Sequence, residues 1–424
     1  MTTDKQSIAR NQNGKPPAEK SLAGNTAWAV IGNGFHAGGR FLLVIILTHY
    51  FASEQVGRVL YALAVVTPLA FLINMELRTV YITDTKNWIK AGHCLALRSV
   101  SNIILLLLLL ILCAAPWPQW DRQLTILILL VGAVRMAESW SDIYWGVLQK
   151  NERMKYVSIS QVLRTVAVLL FSLIIARFTD NIQWMLLGWA IITLGVLWLY
   201  DRPNADRLTP VRWLWQRQIL KQLGWLAFPV GVFVALAILN QQVAQYFIQP
   251  TLGDSTVAYF GVMISIVSGI TAVQNGVNQA ILPRLANYFN RSRYDFWKLL
   301  GKITGISSTV MAAVLLTIWW RGALILKILY GPEYAQHAGL FVVIMGSGWI
   351  VVMGMIAGDA LLACHRFKSR MTAMALGLSA NAMICWYFIG EYQLAAPAWA
   401  AVVSSGIILL ICAAMLAQAS MKKY

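Results

Sequence analysis

Ionisable side chains interrupt an apolar run near the start of the sequence. Asn33, His36 and Arg40 are spaced by three and four residues, so a helix would place all three on one face. An arginine near the middle of a bilayer costs roughly 2.5–3.5 kcal/mol and needs either a partner or a wet cavity. Because a guanidinium fork suits phosphate and carboxylate groups, we predict that Arg40 faces a binding cavity. The alternative is an ion pair with an acid on a neighbouring helix, and His36 alone is more typical of a packed, hydrogen-bonded histidine.

Two later apolar runs carry further charges. Arg135, Glu138 and Asp142 share one helix face, where Arg135 and Glu138 can neutralise each other and Asp142 can be hydrated near the helix end. The functional alternative is that one of these carboxylates takes up a proton and couples transport to the proton gradient. Arg164 is the second candidate for a cavity wall, although its partner could equally be Glu138.

The second half of the chain carries amides where the first half carries charges. Eight amides fall in two consecutive apolar runs, namely Asn240, Gln241, Gln242, Gln245, Gln274, Asn275, Asn278 and Gln279. Amides inside a membrane usually bond neighbouring helices, but this number favours a wet cavity lined by Gln242, Gln274 and Asn275. Asp359 could cap or gate the inner mouth of that cavity, or form part of a structural pair.

Motifs for covalent chemistry are not found in the sequence. There is no P-loop, serine elbow, HExxH motif or paired catalytic carboxylate, so we predict no catalytic residue and no ATP hydrolysis. The five cysteines lack CxxC spacing and histidine partners, and we therefore expect no metal site and no disulfide framework.

The elements that must position these residues are membrane helices. The chain has 424 residues, of which 58% are hydrophobic and 12% charged, whereas a soluble chain is about a quarter charged. A bilayer crossing needs about 20 apolar residues. Twelve runs satisfy this requirement, near residues 24–50, 56–77, 97–115, 124–148, 156–176, 182–200, 222–248, 256–282, 301–320, 336–363, 371–390 and 395–417.

Basic residues are distributed asymmetrically between the two ends of these predicted helices. Of the 34 Lys and Arg residues, 26 fall in the tails and alternate corners and 5 in the opposite corners. The positive-inside rule therefore predicts that both termini are cytoplasmic. The three that remain, Arg40, Arg135 and Arg164, lie within predicted helices.

An internal repeat divides the chain into halves. At a shift of 213 residues, the corner after the fourth helix matches the corner after the tenth, pairing Leu148 with Leu361 and Arg153 with Arg366. We predict a disordered cytoplasmic tail (1–21), a six-helix lobe (22–200), a basic cytoplasmic linker (201–221) and a second six-helix lobe (222–424). Because six is even, the lobes should be parallel and related by an axis along the membrane normal. A GxxxG pattern at Gly34 and Gly38 favours close packing or bending of the first helix.

Several stretches in this order resemble one exporter superfamily. They are THYFASEQVG, VLQKNERMKYVSISQVLRT, ILPRLANYF, ILYGPEYAQHAGLFVVI and ALLACHRFKSRM. Together they resemble the Wzx-type polysaccharide flippases, which belong with multidrug and toxin extruders and lipid II flippases. The first corner departs from the family wording, reading ASEQVG where LGPEEYG is typical, and the two extra helices of lipid II flippases are absent.

The resemblance implies an inner-membrane flippase for undecaprenyl-pyrophosphate-linked oligosaccharides, serving O-antigen, capsule or exopolysaccharide synthesis by alternating access. It implies membrane lipids and the lipid-linked glycan as partners, with a polysaccharide polymerase and a chain-length regulator as further candidates, and no nucleic acid. We expect no cofactor, with proton or sodium coupling left open. The alternatives are a multidrug cation antiporter of the same fold, a membrane polymerase or ligase, and a non-transporting scaffold. A cation antiporter would require unpaired acids in its cavity. A polymerase or ligase would require a long outward loop that carries Arg and His.

Overall fold

The computed structural model describes residues 22–115, 120–364 and 366–421, and the predicted tail lies outside them. Within the described residues, twelve long helices are apolar enough to cross a membrane, and all twelve predicted spans are confirmed. They are α1 (Leu22–Tyr50), α2 (Ser53–Asn74), α3 (Ala91–Ala114), α4 (Arg122–Lys150), α5 (Met154–Phe178), α6 (Ile182–Val196), α7 (Arg217–Leu252), α8 (Asp254–Arg291), α9 (Arg293–Tyr330), α10 (Ala338–Ala363), α11 (Phe367–Tyr392) and α12 (Ala395–Met421).

The interruptions in these helices follow local backbone chemistry. After α2, Met75 and Glu76 are both left-handed, with φ of 55° and 48°, and a short helix (Leu77–Thr83) continues in a new direction. Two consecutive non-glycine residues in this region mark a strained break. At the other end of the bundle, Gly253 and Gly331 have φ of 85° and 108°, which glycine adopts without strain, and they close the corners after α7 and α9.

The two halves of the chain pack in the same pattern. In each half the first helix contacts the fifth, the second and third contact the fourth, and the fourth and fifth contact the sixth. The repeated corner also has the same closing bond. The Arg153 amide donates to the Leu148 carbonyl at 2.8 Å, and the Arg366 amide donates to the Leu361 carbonyl at 2.9 Å. We refer to α1–α6 as the first lobe and to α7–α12 as the second lobe.

The lobes share one extended core only towards one end of the bundle. The inner end is defined here as the end that carries the corners after α2, α4, α6, α8 and α10, and the positive-inside rule predicts that it is cytoplasmic. Towards the outer end, residues of α1, α2 and α8 such as Leu47, Leu60 and Phe260 belong to one common hydrophobic core. Towards the inner end there are two separate cores, one formed by the first lobe together with Leu223 and Ala227 of α7, and one formed by the second lobe alone. The lobes are therefore joined outside and diverge inside.

The two sides of this divergence differ. On one side, α7 stays against α2 along its length, because Gly231 lies against Met75 and the Tyr246 hydroxyl donates to the Ala64 carbonyl at 2.6 Å. On the other side, α1 and α8 contribute to the shared core only with their outer halves, and their inner halves carry exposed side chains such as Phe35 and Val273. We refer to the region beside these exposed inner halves of α1 and α8 as the lateral opening.

Two sequence-based expectations need correction. The connection between the lobes is shorter than residues 201–221. α6 continues through a π-helical turn (Leu197–Asp201) to Asp206, because Asp201 is buried against α4 and α5, and α7 begins at Arg217. The GxxxG pair is not a packing motif, since a Cβ at Gly34 or Gly38 would meet nothing within 4 Å. Packing against α5 instead uses Gly32 and Gly39, whose added Cβ atoms would overlap Ser158 and Thr165.

Candidate substrate cavity

The first lobe encloses a cavity of about 200 Å³ lined by charged side chains from α1 to α5. We refer to it as the basic cavity. Its lining includes four arginines (Arg40, Arg98, Arg135 and Arg164), three acids (Glu76, Glu138 and Asp142), and the polar residues His36 and Asn74.

Glu138 is the centre of the outer half of the basic cavity. One carboxylate oxygen accepts a bond from Arg135 Nη1 at 2.8 Å and lies 3.7 Å from Arg40 Nη2. Arg135 is held from its other side by the Thr67 hydroxyl at 3.1 Å. The predicted Arg135–Glu138 pair is therefore present, but Glu138 also faces Arg40. Arg40 is the most accessible of the four arginines, with its side chain 48% exposed, so it combines the two predicted alternatives, cavity wall and ion pair.

Arg164 lines the basic cavity, yet its charge is matched by a residue that the sequence reasoning missed. Its Nη2 donates to Asp201 Oδ2 at 3.2 Å and to the Ser141 hydroxyl at 2.7 Å. Both charged side chains are almost fully buried, at 2% and 0% exposure. Trp145 completes the group, because its indole N–H donates to Asp201 at 3.2 Å and its ring lies under the guanidinium of Arg164. The structure thus gives Arg164 Asp201 as its partner and not Glu138.

Asp142 holds two more arginines at the inner end of the basic cavity. It lies 3.1 Å from Arg78 Nη1 and 3.4 Å from Arg98 Nη2, and is therefore paired rather than merely hydrated. Arg98 is nearly fully buried and donates to the Asn74 carbonyl at 2.9 Å. Arg98 is one of the 26 basic residues that the sequence places in the tails and alternate corners. The structure starts α3 at Ala91, since the bonds to Asp142 and Asn74 satisfy the charge inside the helix bundle.

Unused donors distinguish these arginines from ordinary buried ion pairs. The Nε groups of Arg98, Arg135 and Arg164 are buried without a hydrogen-bond partner, as is one oxygen of Glu138. A buried guanidinium N–H without an acceptor is costly, and such groups call for water or a ligand. All three arginines line the basic cavity, so its wall contains guanidinium groups whose donors are only partly used.

The other two residues predicted on the α1 face, His36 and Asn33, have different surroundings. His36 lines the basic cavity beside Arg40. Asn33 accepts a bond from Gln161 Nε2 at 3.1 Å, which ties it to the neighbouring helix. The predicted α1 face is therefore divided between the cavity and helix packing.

The second lobe uses its amides mainly within the protein. Gln274 donates to Asn278 at 2.7 Å, Asn278 donates to Asp359 at 2.6 Å, and Asp359 pairs with Arg370 of α11. Asn240 accepts bonds from Asn381 and Ser404, and Gln242 accepts a bond from Gln245. Asn275 is exposed on the inner half of α8. Of the three amides predicted to line one wall, Gln274 is buried in this network, Gln242 is half-buried and Asn275 is exposed.

Comparison with solved structures identifies the fold. The chain is similar to the lipid II flippase MurJ in an inward closed conformation, with a TM-score of 0.74, 11% identity, and coverage of 92% of this chain and 87% of that one. It is also similar to an inward-facing multidrug resistance MATE family transporter of the MOP superfamily, with a TM-score of 0.67, 13% identity, and coverage of 94% and 96%. The predicted all-α, twelve-helix membrane fold is confirmed for the described residues, which share the fold of these two proteins.

Sequence comparison points to one relative. No family model matches the chain. The capsular polysaccharide biosynthesis protein CapF of Staphylococcus aureus is 24% identical over 377 residues, which are 88% of this chain and 93% of that protein. Both comparisons agree with the resemblance that the sequence motifs indicated.

Proposed function

We propose that this protein is a flippase that moves undecaprenyl-pyrophosphate-linked oligosaccharide units across the bacterial inner membrane for surface polysaccharide synthesis. The observation that carries the proposal is the basic cavity, whose buried guanidinium N–H groups lack acceptors within a lobe that borders a lateral opening. The likeness to a flippase fold and to a capsular polysaccharide biosynthesis protein supports it.

The size of the basic cavity suits the charged linkage better than the whole glycan. Its volume of about 200 Å³ corresponds to roughly seven liquid waters. A pyrophosphate has the acceptors that Arg98, Arg135 and Arg164 lack, and Arg40 is accessible enough to meet it first. The sugars would then extend into the space between the diverging lobes, towards exposed amides such as Asn275.

The lateral opening suits a substrate with a long lipid tail. The inner halves of α1 and α8 expose apolar side chains, including Val30, Phe35 and Val273. The tail would remain in lipid at this opening while the charged linkage enters the first lobe. Closing the inner ends and opening the outer ends would then deliver the glycan to the other leaflet, which is alternating access.

Coupling and partners are further parts of the proposal. The two arginines beside Glu138 favour its charged form, so Glu76, which among the described residues has no ion-pair partner, is the candidate carboxylate of the basic cavity if a proton gradient drives the cycle. The function would need no cofactor and no catalytic residue, and both termini would face the cytoplasm. A polysaccharide polymerase and a chain-length regulator are the expected protein partners.

The competing function is multidrug cation antiport, which fits the same fold. It predicts a cavity with unpaired acids, whereas each acid of the basic cavity named above other than Glu76 has an arginine within ion-pair distance. Deleting the gene in its host separates the two functions. A flippase predicts accumulation of lipid-linked oligosaccharide on the inner leaflet with unchanged drug resistance. An antiporter predicts drug sensitivity with normal surface polysaccharide, and that result would overturn our proposal.

Arg40 provides the residue-level test. Arg40→Gln should lower export about tenfold or more, as expected for loss of a charge-assisted hydrogen bond of roughly 1.5–3 kcal/mol. Arg40→Lys should keep part of the export, because it keeps the charge and loses the planar fork. Arg122→Gln, at the exposed outer start of α4, is the matched control. Equal export by Arg40→Gln and the control, at equal membrane abundance, would exclude Arg40 from substrate binding.

A further inference from the structure

The connection between the two lobes, residues 207–216, lies against the inner end of the first lobe. The Leu214 amide donates to the Gly92 carbonyl at 3.3 Å, and the Val211 amide donates to Asp206 Oδ1 at 2.9 Å. Gly92 permits this close approach, since an added Cβ would overlap the carbonyl of Arg212. The connection is therefore held in place, although it has neither helix nor strand.

This attachment directs one set of side chains towards the protein and another set away from it. Val211 is buried in the inner core of the first lobe. Trp213 and Trp215 are 64% and 67% exposed. Arg212, which follows Val211 in the chain, is also exposed. We define the linker surface as Arg207, Arg212, Trp213, Trp215, Arg217 and Lys221, all of which are exposed.

Among the described residues, no acidic side chain neutralises the positive charge of the linker surface. The nearest acids along the chain are Asp201, which is buried against Arg164, and Asp206, which pairs with Arg202 at 3.4 Å. Across the described ranges, no carboxylate lies within ion-pair distance of the four basic residues of the linker surface. They are therefore free to bind anions from outside the chain.

The position of the linker surface identifies the source of those anions. It connects the end of α6 with the start of α7, and both are inner ends of membrane helices. Exposed Trp198 and Trp225 flank it on these helices. Tryptophan prefers the headgroup level of a bilayer, and arginine or lysine at that level attracts anionic lipids. We propose that the linker surface binds the headgroups of anionic phospholipids in the inner leaflet and so attaches the first lobe to that leaflet.

The test measures lipid selectivity on the full-length protein. Detergent-purified protein is titrated with phosphatidylglycerol and with phosphatidylcholine, and bound lipids are counted by native mass spectrometry. Each basic residue near anionic lipid contributes roughly a fivefold preference. The variant with Arg207→Gln, Arg212→Gln and Arg217→Gln should therefore lose most of the preference for phosphatidylglycerol. The control variant with Arg122→Gln, Arg177→Gln and Lys327→Gln removes three exposed charges from three different outer corners, where they form no cluster, and should retain it.

The outcomes separate headgroup binding from its alternatives. Replacing Trp213 and Trp215 with alanine should weaken the binding of phosphatidylglycerol and phosphatidylcholine alike. The change removes the side chains that insert at the headgroup level and leaves the charges in place. The proposal is overturned if the triple arginine variant keeps its preference, if it loses both lipids equally, or if the control variant loses as much. It is also overturned if the triple arginine variant releases a copurifying protein while its lipid selectivity stays the same. That result would indicate a protein partner. Thermal stability, measured on the same samples, identifies any variant that misfolds. If the triple arginine variant misfolds, Arg212→Gln alone replaces it, with an expected roughly fivefold loss of the preference for phosphatidylglycerol.

Discussion

The two lobes pack their helices in the same way but contain different polar groups. Their helix contacts match one for one, and the corner after the fourth helix has the same closing bond as the corner after the tenth. Around the basic cavity of the first lobe, however, three guanidinium groups with unused donors lie together, whereas in the second lobe Asp359 pairs with Arg370 and with Asn278, and the unpaired groups Arg293 Nη1 and Gln245 Oε1 lie on different helices. The repeat provides the scaffold, and the candidate binding chemistry lies where one copy departs from it.

The second helix of each lobe illustrates this departure. α8 continues unbroken for 38 residues, whereas α2 stops after 22 residues at the left-handed pair Met75 and Glu76. The break brings Glu76 and Asn74 to the inner end of the basic cavity. Strained backbone of this kind persists where the surrounding structure fixes it, often at functional sites. The first lobe therefore combines the strained helix with the unsatisfied charges.

The largest effect is expected at the buried Arg164–Asp201 pair, which separates structure from binding within the first lobe. Arg164→Gln or Asp201→Asn leaves one charge buried without a partner and should cost about 3–5 kcal/mol of unfolding free energy. The expected readout is loss of membrane abundance and a lower melting temperature in detergent. The double variant should recover much of the loss, because it buries no uncompensated charge.

The Glu138→Gln change is the comparison for this rescue. If adding Glu138→Gln restores the membrane abundance of the Arg164→Gln variant and adding Asp201→Asn does not, the Arg164–Asp201 pairing is wrong. If Arg164→Gln keeps normal abundance and loses export, Arg164 acts mainly on substrate. The first result would only exchange one structural partner of Arg164 for another, whereas the second would assign Arg164 to the binding site.

A smaller loss of unfolding free energy is expected for changes where α1 packs on α5. The same contact is repeated in the second lobe, where α7 packs on α11. Gly39→Ala would push a methyl group into Thr165 and should cost about 1–3 kcal/mol, as overpacking typically does. Gly38→Ala, one residue earlier, meets nothing within 4 Å and should be neutral. Melting temperatures of the two variants test this difference. Greater damage from Gly38→Ala would restore the GxxxG interpretation.

The next effect concerns the outer contact between the lobes. Arg58 of the first lobe donates to Asp254 of the second at 2.7 Å and also lies 3.2 Å from Asp121 of its own lobe. Asp254→Asn should weaken outer closure by about 1 kcal/mol or less, a factor of up to about five in the population of separated outer ends. Spin labels at Glu54 and Ser255 would report that distance. Asp121→Asn is the control, because Asn keeps the helix cap and no bond between the lobes is removed. Equal shifts in the two variants would show that Arg58 does not hold the lobes together.

The sequence predicted the fold far better than the partners of the charges. Runs of apolar residues determine where helices cross a membrane, so all twelve spans could be found from composition and length. The Arg135–Glu138 pair was also predictable, because both residues lie on one helix. Asp201 and Arg98 were missed, since each lies near a helix end and is buried by residues distant in sequence, namely Arg164 and Asp142. Spacing along one helix contains no information about which neighbouring helix faces it.

The smallest perturbation tests the second lobe, where the comparison rests on which amides face water. Gln274 is 7% exposed and bonded to Asn278, whereas its neighbour Asn275 is exposed on the inner half of α8. In a background with the five native cysteines replaced, Asn275→Cys should react with a membrane-impermeant thiol reagent added from the cytoplasmic side, and Gln274→Cys should not. Substrate bound between the lobes should protect Asn275→Cys, because the opening between α1 and α8 would then be occupied. Rapid labelling of Gln274→Cys would show that the amide network opens to water, and the second lobe would then share the binding role assigned here to the first. Labelling of Asn275→Cys only from the outside would instead reverse the predicted orientation of the whole bundle.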